Sequence, residues 1–429
     1  MENTKQESGW RWIPSLYFVQ GLPYVMVMTV SVIMYKRLGL SNTDIALYTS
    51  WLYLPWFIKP LWSPFVDLLR TKRWWILVMQ LVMGGGLAGV ALSIPVDPFV
   101  RYTLAFFWLL AFSSATHDIA ADGFYMLGLK EDEQAFFVGI RSSFYRLAMM
   151  TGQGLLVMLA GWLEQRMGVA RAWQITFVAM ALLLVLAALW HWWSLPRPQN
   201  DGATEAQTGA ELWRGVGASL GSFFAKPGMK VAVAFMLLYR LGEAQLVKLA
   251  APFLMDAREV GGLALSTETV GLLYGTIGVV ALTLGGILGG WLITRKGLRY
   301  WLWPMALAMN LPNLAYVVLA WWQPESMPMV AALVALEQLG YGFGFTAYVL
   351  FLIHYADGPY KTAHYAIGTG LMALGMMLPG MASGWLQELL GYRFFFIWVV
   401  LCTLPGFALL SRLKIPAQFG RKNQGFTKN

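Results

Sequence analysis

The sequence predicts an all-α membrane fold of about twelve transmembrane helices in two related halves of six. Three observations carry that prediction: an apolar composition, a run of twelve long hydrophobic stretches, and landmarks that recur half a chain apart. Of the 429 residues, 58% are hydrophobic and only 12% charged, whereas soluble domains carry roughly 25% charged residues. Too little polar surface exists to coat a water-exposed fold. Twenty-one Trp, 18 Tyr and 25 Phe suit interfacial belts and the walls of a polar-organic binding cavity.

A span needs about 20 mainly apolar residues. Pro, Gly and charge punctuation divides the chain into stretches near 12–35, 43–62, 74–94, 99–127, 135–163, 172–193, 230–254, 268–293, 300–322, 328–355, 362–389 and 393–412. The first run, from Ile13 to Met34, is too long for a signal-peptide core and has no small-residue cleavage site after it, so it is expected to remain as a span. The longest polar interruption, Ser194 to Met229, contains Pro196-Arg197-Pro198-Gln199-Asn200-Asp201-Gly202 and reads as a flexible linker followed by a short amphipathic piece. The expected organisation is thus a six-helix bundle over 1–193, a linker over 194–229, and a second bundle with a short tail over 230–429.

The halves resemble each other. Gly161-Trp162-Leu163, followed by Gly168, recurs as Gly384-Trp385-Leu386, followed by Gly391, at an offset of 223. Ser41-Asn42-Thr43-Asp44-Ile45, opening the second span, is echoed 225 positions on by Ser266-Thr267-Glu268-Thr269-Val270, opening the eighth. Two landmarks at nearly one offset indicate a 6+6 parallel repeat with a long central loop. That is the major facilitator architecture, whose halves rock about a site near the bilayer midplane.

Charge sets the expected orientation. With an even number of spans the termini share a side, and that side collects 19 of the 31 basic residues, the opposite loops seven, and the spans five. The positive-inside rule places both termini and the linker in the cytoplasm. The formal charge of +9 is scattered among helix ends without an aromatic-basic patch, which argues against nucleic acid as a partner. The single cysteine, Cys402, excludes an intramolecular disulfide and a cysteine-based metal cluster. No His-x-x-x-His or Glu-x-x-His set appears, so neither a metal site nor a cofactor is expected.

Ionisable groups inside spans are costly and mark candidate functional sites. The fourth and fifth spans hold His117, Asp118, Asp122, Arg141 and Arg146, joined through the turn Lys130-Glu131-Asp132-Glu133. Residues equidistant from that turn lie at equal depth, matching Asp122 to Arg141 and Asp118 to Arg146. Asp118 and Asp122, four apart, share a helix face. Two readings stay open: a pair of salt bridges fastening two helices, or a proton-exchanging carboxylate whose pKa moves as the helices separate. Span seven carries Arg240, Glu243 and Lys248, and span ten Glu337 with Gln338. Arg240 and Glu337 each lie about ten residues from opposite span ends, near the midplane at about 1.5 Å per residue. An Arg240–Glu337 or Arg240–Glu243 pair is expected, either holding the packing or binding an anionic substrate coupled to a proton. Lys59, near the end of span two, can snorkel. His191, among Trp190, Trp192 and Trp193, reads as an interfacial anchor, while His354 and His364 flank the loop between spans ten and eleven and are expected to be solvated, with a place facing the cavity open to His364.

After spans two and eight stand Trp62-Ser63-Pro64-Phe65-Val66-Asp67 with Arg70-Thr71-Lys72-Arg73, and Gly289-Gly290-Trp291-Leu292-Ile293-Thr294-Arg295-Lys296-Gly297. Both look like degraded forms of the superfamily's Gly-x-x-x-Asp-(Arg/Lys) loop, in which a carboxylate facing clustered cations latches one state. Topology-setting charge is the alternative.

At these residues the chain resembles the AmpG-type muropeptide permeases, relatives of the acetyl-CoA transporters within the major facilitator superfamily. The resemblance runs through Lys59-Pro60-Leu61-Trp62-Ser63-Pro64-Phe65-Val66-Asp67, Ser114-Ala115-Thr116-His117-Asp118-Ile119-Ala120-Ala121-Asp122, Tyr145-Arg146-Leu147, Leu238-Tyr239-Arg240-Leu241-Gly242-Glu243-Ala244, and Glu337 with Gly342 and Gly344. It implies proton-driven import of anhydro-muropeptides, fragments of cell-wall turnover, across the bacterial inner membrane by a multi-pass protein, with no catalysis and no cofactor. Family residues of ionisable character fall at Lys59, Asp67, Asp118, Asp122, Arg146, Arg240, Glu243 and Glu337. His117 stands where the family commonly has Gln, and two C-terminal spans of some members are absent.

The expected roles are proton coupling by Asp118, Asp122, Glu243 and Glu337. Substrate binding is expected from Gln20, Tyr24, Tyr145, Arg146, Arg240, Gln245, Lys248 and Tyr341, with gating by Lys59, Asp67 and Arg141. Expected partners are a small glyco-peptide or other anionic solute, protons and membrane lipid, with the protein acting as a monomer. Another bulky anion such as an acyl-CoA-like molecule, siderophore or oligosaccharide is the alternative cargo, and a non-transporting membrane sensor the alternative function. A membrane enzyme fits poorly, because Asp118-x-x-x-Asp122 matches neither a prenyl-transfer nor an intramembrane-protease motif.

Overall fold

A computed structural model describes residues 9–129, 131–198, 201, 209–358 and 360–421 of the chain, and the regular structure within them is helical. In chain order the helices are α1 (Gly9–Arg37), α2 (Asn42–Trp51), α3 (Leu54–Leu69), α4 (Lys72–Ser93), α5 (Phe99–Gly128), α6 (Glu131–Met149), α7 (Val157–Met167) and α8 (Val169–Ser194). There follow α9 (Gly209–Phe224), α10 (Met229–Leu238), α11 (Leu241–Met255), α12 (Thr267–Lys296), α13 (Leu298–Trp322), α14 (Met327–Ala356), α15 (Lys361–Leu401) and α16 (Leu404–Leu410). Nine helices among the described residues are long and apolar enough to cross a membrane unaided. The expected twelve passes emerge when Lys361–Leu410 divides at Gly391 and two interrupted passes are counted. One of these is α2 with α3, broken near Leu52; the other is α10 with α11, broken at Tyr239–Arg240. The stretch Trp213–Phe224 of α9 bends 95° away from the pass that follows, as befits the amphipathic piece read from the linker.

Backbone chemistry explains several helix ends. Thr71 opens α4 by accepting a hydrogen bond from the Trp74 amide, which satisfies one of the free N–H groups of the first turn. Asp201, from the interruption between the halves, accepts from the next two: the Lys72 amide at 2.7 Å and the Arg73 amide at 3.1 Å. A carboxylate there also meets the positive end of the helix dipole.

The chain forms two compact units. The first comprises residues 1–40, 51–213 and 266–275, the second 41–50, 214–265 and 276–429. The two repeated landmarks meet inside these units. In the first, Thr267 donates to Glu164 at 2.8 Å, and a Cβ on Gly161 would stand 2.3 Å from the Glu268 amide nitrogen. In the second, Asn42 donates to Gln387 at 2.6 Å, and a Cβ on Gly384 would stand 2.0 Å from the Asn42 carbonyl oxygen. The glycine of each Gly-Trp-Leu therefore exists because another helix start lies directly upon it, as small residues allow in membrane helix packing. The glycine seven residues on turns the chain. Gly168 and Gly391 share φ/ψ near 81°/161° and 68°/162°, a conformation that only glycine enters without strain.

Replacing Gly384 by Val is expected to lower the melting temperature of the purified protein, because the added methyls meet backbone that cannot yield; overpacking of this kind costs about 1–3 kcal/mol. Gly85→Val, where a Cβ meets nothing within 4 Å, is the control and is expected to leave the thermal unfolding midpoint in place.

Candidate functional site

In the first unit the polar cluster is organised by α5. Asp118 accepts from Trp56 Nε1 at 3.1 Å and pairs with Lys59 Nζ at 3.7 Å, both from α3, and Gln20 of α1 bonds it as well. Tyr24 packs edge-on against Trp56 with ring centroids 5.2 Å apart. One turn along, Asp122 accepts from the Tyr17 hydroxyl at 3.2 Å and pairs with Arg141 at 3.5 Å. Arg141 also donates to the Tyr17 oxygen at 3.0 Å and lies over the rings of Tyr17 and Tyr125, 4.9 and 5.0 Å from their centroids. Tyr145 enters the same region, since its carbonyl lies against Gly21 of α1.

The Asp122–Arg141 pairing expected from depth is present; the Asp118–Arg146 pairing is not, and Lys59 takes that place. Helical phase gives the reason. At about 100° per residue, Asp118 and Asp122 lie about 40° apart on α5, whereas Arg141 and Arg146 lie about 140° apart on α6. One face of α6 cannot offer both guanidinium groups to one face of α5. Arg146 is half-buried and makes no ion pair among the described residues. The cluster thus sets three cations, Lys59, Arg141 and Arg146, against two carboxylates. The side chain of Asp67 lies outside the described residues.

In the second unit the pass formed by α10 and α11 breaks where Tyr239 gives way to Arg240, whose backbone leaves the helical region at φ −106°, ψ 19°. Arg240 donates to the Tyr341 hydroxyl at 2.5 Å and lies over the rings of Tyr341 and Phe345, 5.3 and 4.9 Å from their centroids. Glu243 and Glu337 are buried at 2% and 1% exposure. Glu337 accepts from Gln338 at 2.9 Å, but its second oxygen, like Oε2 of Glu243, has no hydrogen-bond partner. Glu243 is within electrostatic reach of both Arg240 and Glu337. Lys248, 1% exposed, donates to the Thr49 hydroxyl at 3.0 Å. Gln245 spends its amide on structure: the oxygen accepts from Trp398 at 2.9 Å and the nitrogen donates to the Leu241 carbonyl at 3.0 Å.

Two polar positions differ from their sequence reading. His191 is wholly buried rather than interfacial, and its partners are Gln80 and Ser15, each at 2.9 Å. The neighbouring tryptophans masked it; the available signal was Gln80, a lone amide in an apolar span. His364 is also buried and contacts the Ser222 hydroxyl at 2.8 Å. Among the described residues no three His, Cys, Asp or Glu side chains are grouped to hold a metal.

Long apolar helices, a broken pass carrying an arginine, and buried charge clusters in both units define a multi-pass membrane transporter rather than an enzyme. The chain belongs to the Major Facilitator Superfamily, whose family model matches residues 15–366. It is similar to the anhydromuropeptide permease of Escherichia coli strain K12, 27% identical over 96% of this chain and 81% of that protein. A putative transporter AmpG 4 of Rickettsia conorii is 25% identical over 93% of this chain and 94% of that one. Among solved structures, the nucleoside transporter NupG superposes with a TM-score of 0.71 at 14% identity, covering 95% of this chain and all of NupG. A D-xylose-proton symporter does so with a TM-score of 0.69 at 13% identity, covering 96% and 98%. The structural likenesses bear on the fold.

A double-mutant cycle on Lys59 and Asp118 is expected to show coupling. Lys59→Met and Asp118→Asn should each lower the melting temperature, and the double substitution should lower it by less than the sum of the two, with an interaction energy of about 0.5–3 kcal/mol. Additive effects would show that the 3.7 Å pair contributes nothing to stability.

Proposed function

We propose that this protein is a proton-coupled secondary transporter that imports cell-wall-derived anhydro-muropeptides into the cytoplasm by alternating access. On this reading it resides in a bacterial inner membrane with both termini cytoplasmic. The observation that carries the reading is the buried charge in the second unit: Glu243 and Glu337 each keep an oxygen without a hydrogen-bond partner, beside Arg240 and its aromatic flank. A buried ionised carboxylate is costly unless paired or hydrogen-bonded, so such a site gains by taking up a proton or a donor from a ligand. The relative whose printed function is muropeptide permeation supports the choice of cargo.

The side chains suit that cargo. A muropeptide presents carboxylates, amides and sugar hydroxyls. Arginine offers a planar fork of donors for carboxylates, and aromatic rings offer platforms for sugar faces. Arg240 with Tyr341, and Arg146 with Tyr145, supply these in the second and first units respectively. Lys248 adds a buried ammonium. Asp118 and Asp122 act as the proton-exchanging groups of the first unit, with Lys59 and Arg141 as the cations that replace the proton when it leaves. Asp67 gates the loop after α3.

Membrane vesicles containing the protein are expected to accumulate labelled anhydro-muropeptide under an inward proton gradient and to lose that accumulation with a protonophore. Asp118→Asn and Glu337→Gln should each abolish gradient-driven uptake, while Arg240→Ala should weaken ligand binding about tenfold or more, the loss of one charge-assisted hydrogen bond. Uptake indifferent to the gradient would remove proton coupling. Thermal stabilisation by another bulky anion and not by the muropeptide would change the cargo.

A further inference from the structure

One buried polar chain in the first unit has no part in the charge clusters described above. The Gln80 amide of α4 lies 3.0 Å from His117 Nε2 of α5 and 2.9 Å from His191 Nδ1 of α8. His191 Nε2 lies 2.9 Å from the Ser15 hydroxyl of α1, which reaches the Trp12 carbonyl at 3.2 Å. Gln80, His117 and His191 have no solvent exposure. Four helices are therefore tied through one line of hydrogen bonds.

Donor counting sets its direction. Amide orientation and histidine tautomer follow from the network as a whole. The amide as placed turns Gln80 Nε2 to His117 and Oε1 to His191; with its two ends exchanged, His117 Nε2–H donates to the oxygen and the Gln80 NH2 donates to His191 Nδ1. His191 Nε2–H then donates to Ser15, whose hydroxyl donates to the Trp12 carbonyl. Each hydrogen is used once and both rings stay neutral. The atom left over is His117 Nδ1, which has no hydrogen-bond partner. In this orientation it is a bare lone pair. The opposite orientation strands a buried N–H there, which proteins tolerate less well.

The chain closes into a ring with the Asp122 cluster. Ser15 stands two residues before Tyr17 on α1, Tyr17 donates to Asp122, and Asp122 stands five residues after His117 on α5. His117 lies on the buried face of α5 with Ala120, Ala121 and Phe124. Rotation of α5 about its axis therefore strains the His117–Gln80 contact in the same movement that carries Asp122 away from Tyr17.

We infer that Ser15, Gln80, His117 and His191 are positioning residues, which fix the rotational setting of α5 so that Tyr17 and Arg141 reach Asp122. The inference rests on the reading of Asp118 and Asp122 as proton-exchanging groups. Asp122 faces Tyr17 from α1, Arg141 and Tyr145 from α6 and its own neighbour Asp118. The Lys72 side chain of α4 packs over adjacent Gly123. Asp118 in turn faces Lys59 and Trp56 of α3, Gln20 of α1 and the Tyr145 ring of α6. None of these groups belongs to the positioning chain, and of them Lys59 is also within electrostatic reach of His117.

Infrared difference spectroscopy on the purified full-length protein tests this without any substrate. The carboxyl C=O band lost in Asp122→Asn is followed from about pH 3 to pH 9, which spans the usual carboxyl range and beyond. His117→Leu and Gln80→Leu are expected to shift its midpoint by about one pH unit, a tenfold change in proton affinity. His117→Gln, which keeps one donor and one acceptor, is expected to restore the wild-type midpoint. Ser15→Ala removes a single hydroxyl and should shift the band in the same direction as the leucine variants; it carries the test if those do not fold. A midpoint unmoved in the folded leucine or alanine variants, with only the melting temperature lowered, overturns the inference and leaves the proton reading standing. A wild-type protein with no titrating Asp122 band refutes the proton reading and the inference with it.

Discussion

Hydrocarbon offers neither water nor counter-ions, so a charge placed in a membrane-spanning helix turns to the bundle interior or a hydrated cavity and pairs with protein groups there. That constraint shapes both units. Asp118 is met by an ammonium and an indole N–H, and Asp122 by a guanidinium and a phenol. Arg240 stands at the break of its pass, hydrogen-bonded to Tyr341 and covered by two aromatic faces. The same requirement makes the wholly buried His191 a member of a hydrogen-bonded line and not a ring exposed to lipid headgroups.

Much of this was legible in the sequence because the governing quantities are local. Apolar length locates the passes, and the four-residue spacing of Asp118 and Asp122 gives their common face. Equal depth about a short turn gave Asp122 and Arg141 correctly. It failed for Asp118 and Arg146 because depth is one coordinate and helical phase another: two arginines five apart diverge around α6 while two aspartates four apart do not diverge around α5. Lys59 could not be chosen as the partner from sequence, since α3 reaches α5 through tertiary packing that no spacing records. Gln245 is the converse case. Its type suits a ligand, but Trp398, more than 150 positions away, occupies its oxygen.

The repeated landmarks acquire a physical meaning. Gly161 and Gly384 allow a helix start to lie on them, and Gly168 and Gly391 turn the chain into the next pass. Side chains around those glycines have diverged while the contact has stayed. In the first unit the seat is ionic, with Glu164 accepting from Arg37 at 3.0 Å, Trp173 at 2.8 Å and Thr267 at 2.8 Å. In the second it is an amide pair, Asn42 with Gln387, supported by Tyr392, which donates to Asp256 at 2.7 Å. Glycine could not vary, because the clash is with backbone; the polar partners could, because any donor facing any acceptor satisfies the seat.

A similar division separates the charge clusters. In the first unit both carboxylates have ionic partners, and the cation without one among the described residues is Arg146. In the second, two carboxylates retain unbonded oxygens in a nearly dry setting beside a bonded arginine. On the proposed reading these are complementary tasks. The surplus cation of the first cluster, Arg146, suits an anionic cargo beside the exchanging aspartates, and the unsatisfied acceptors of the second suit a proton beside Arg240. The first task tolerates solvent, as the 45% exposure of the Asp122 side chain indicates; the second requires its exclusion, because water would satisfy the same oxygens and remove the advantage of binding a proton there.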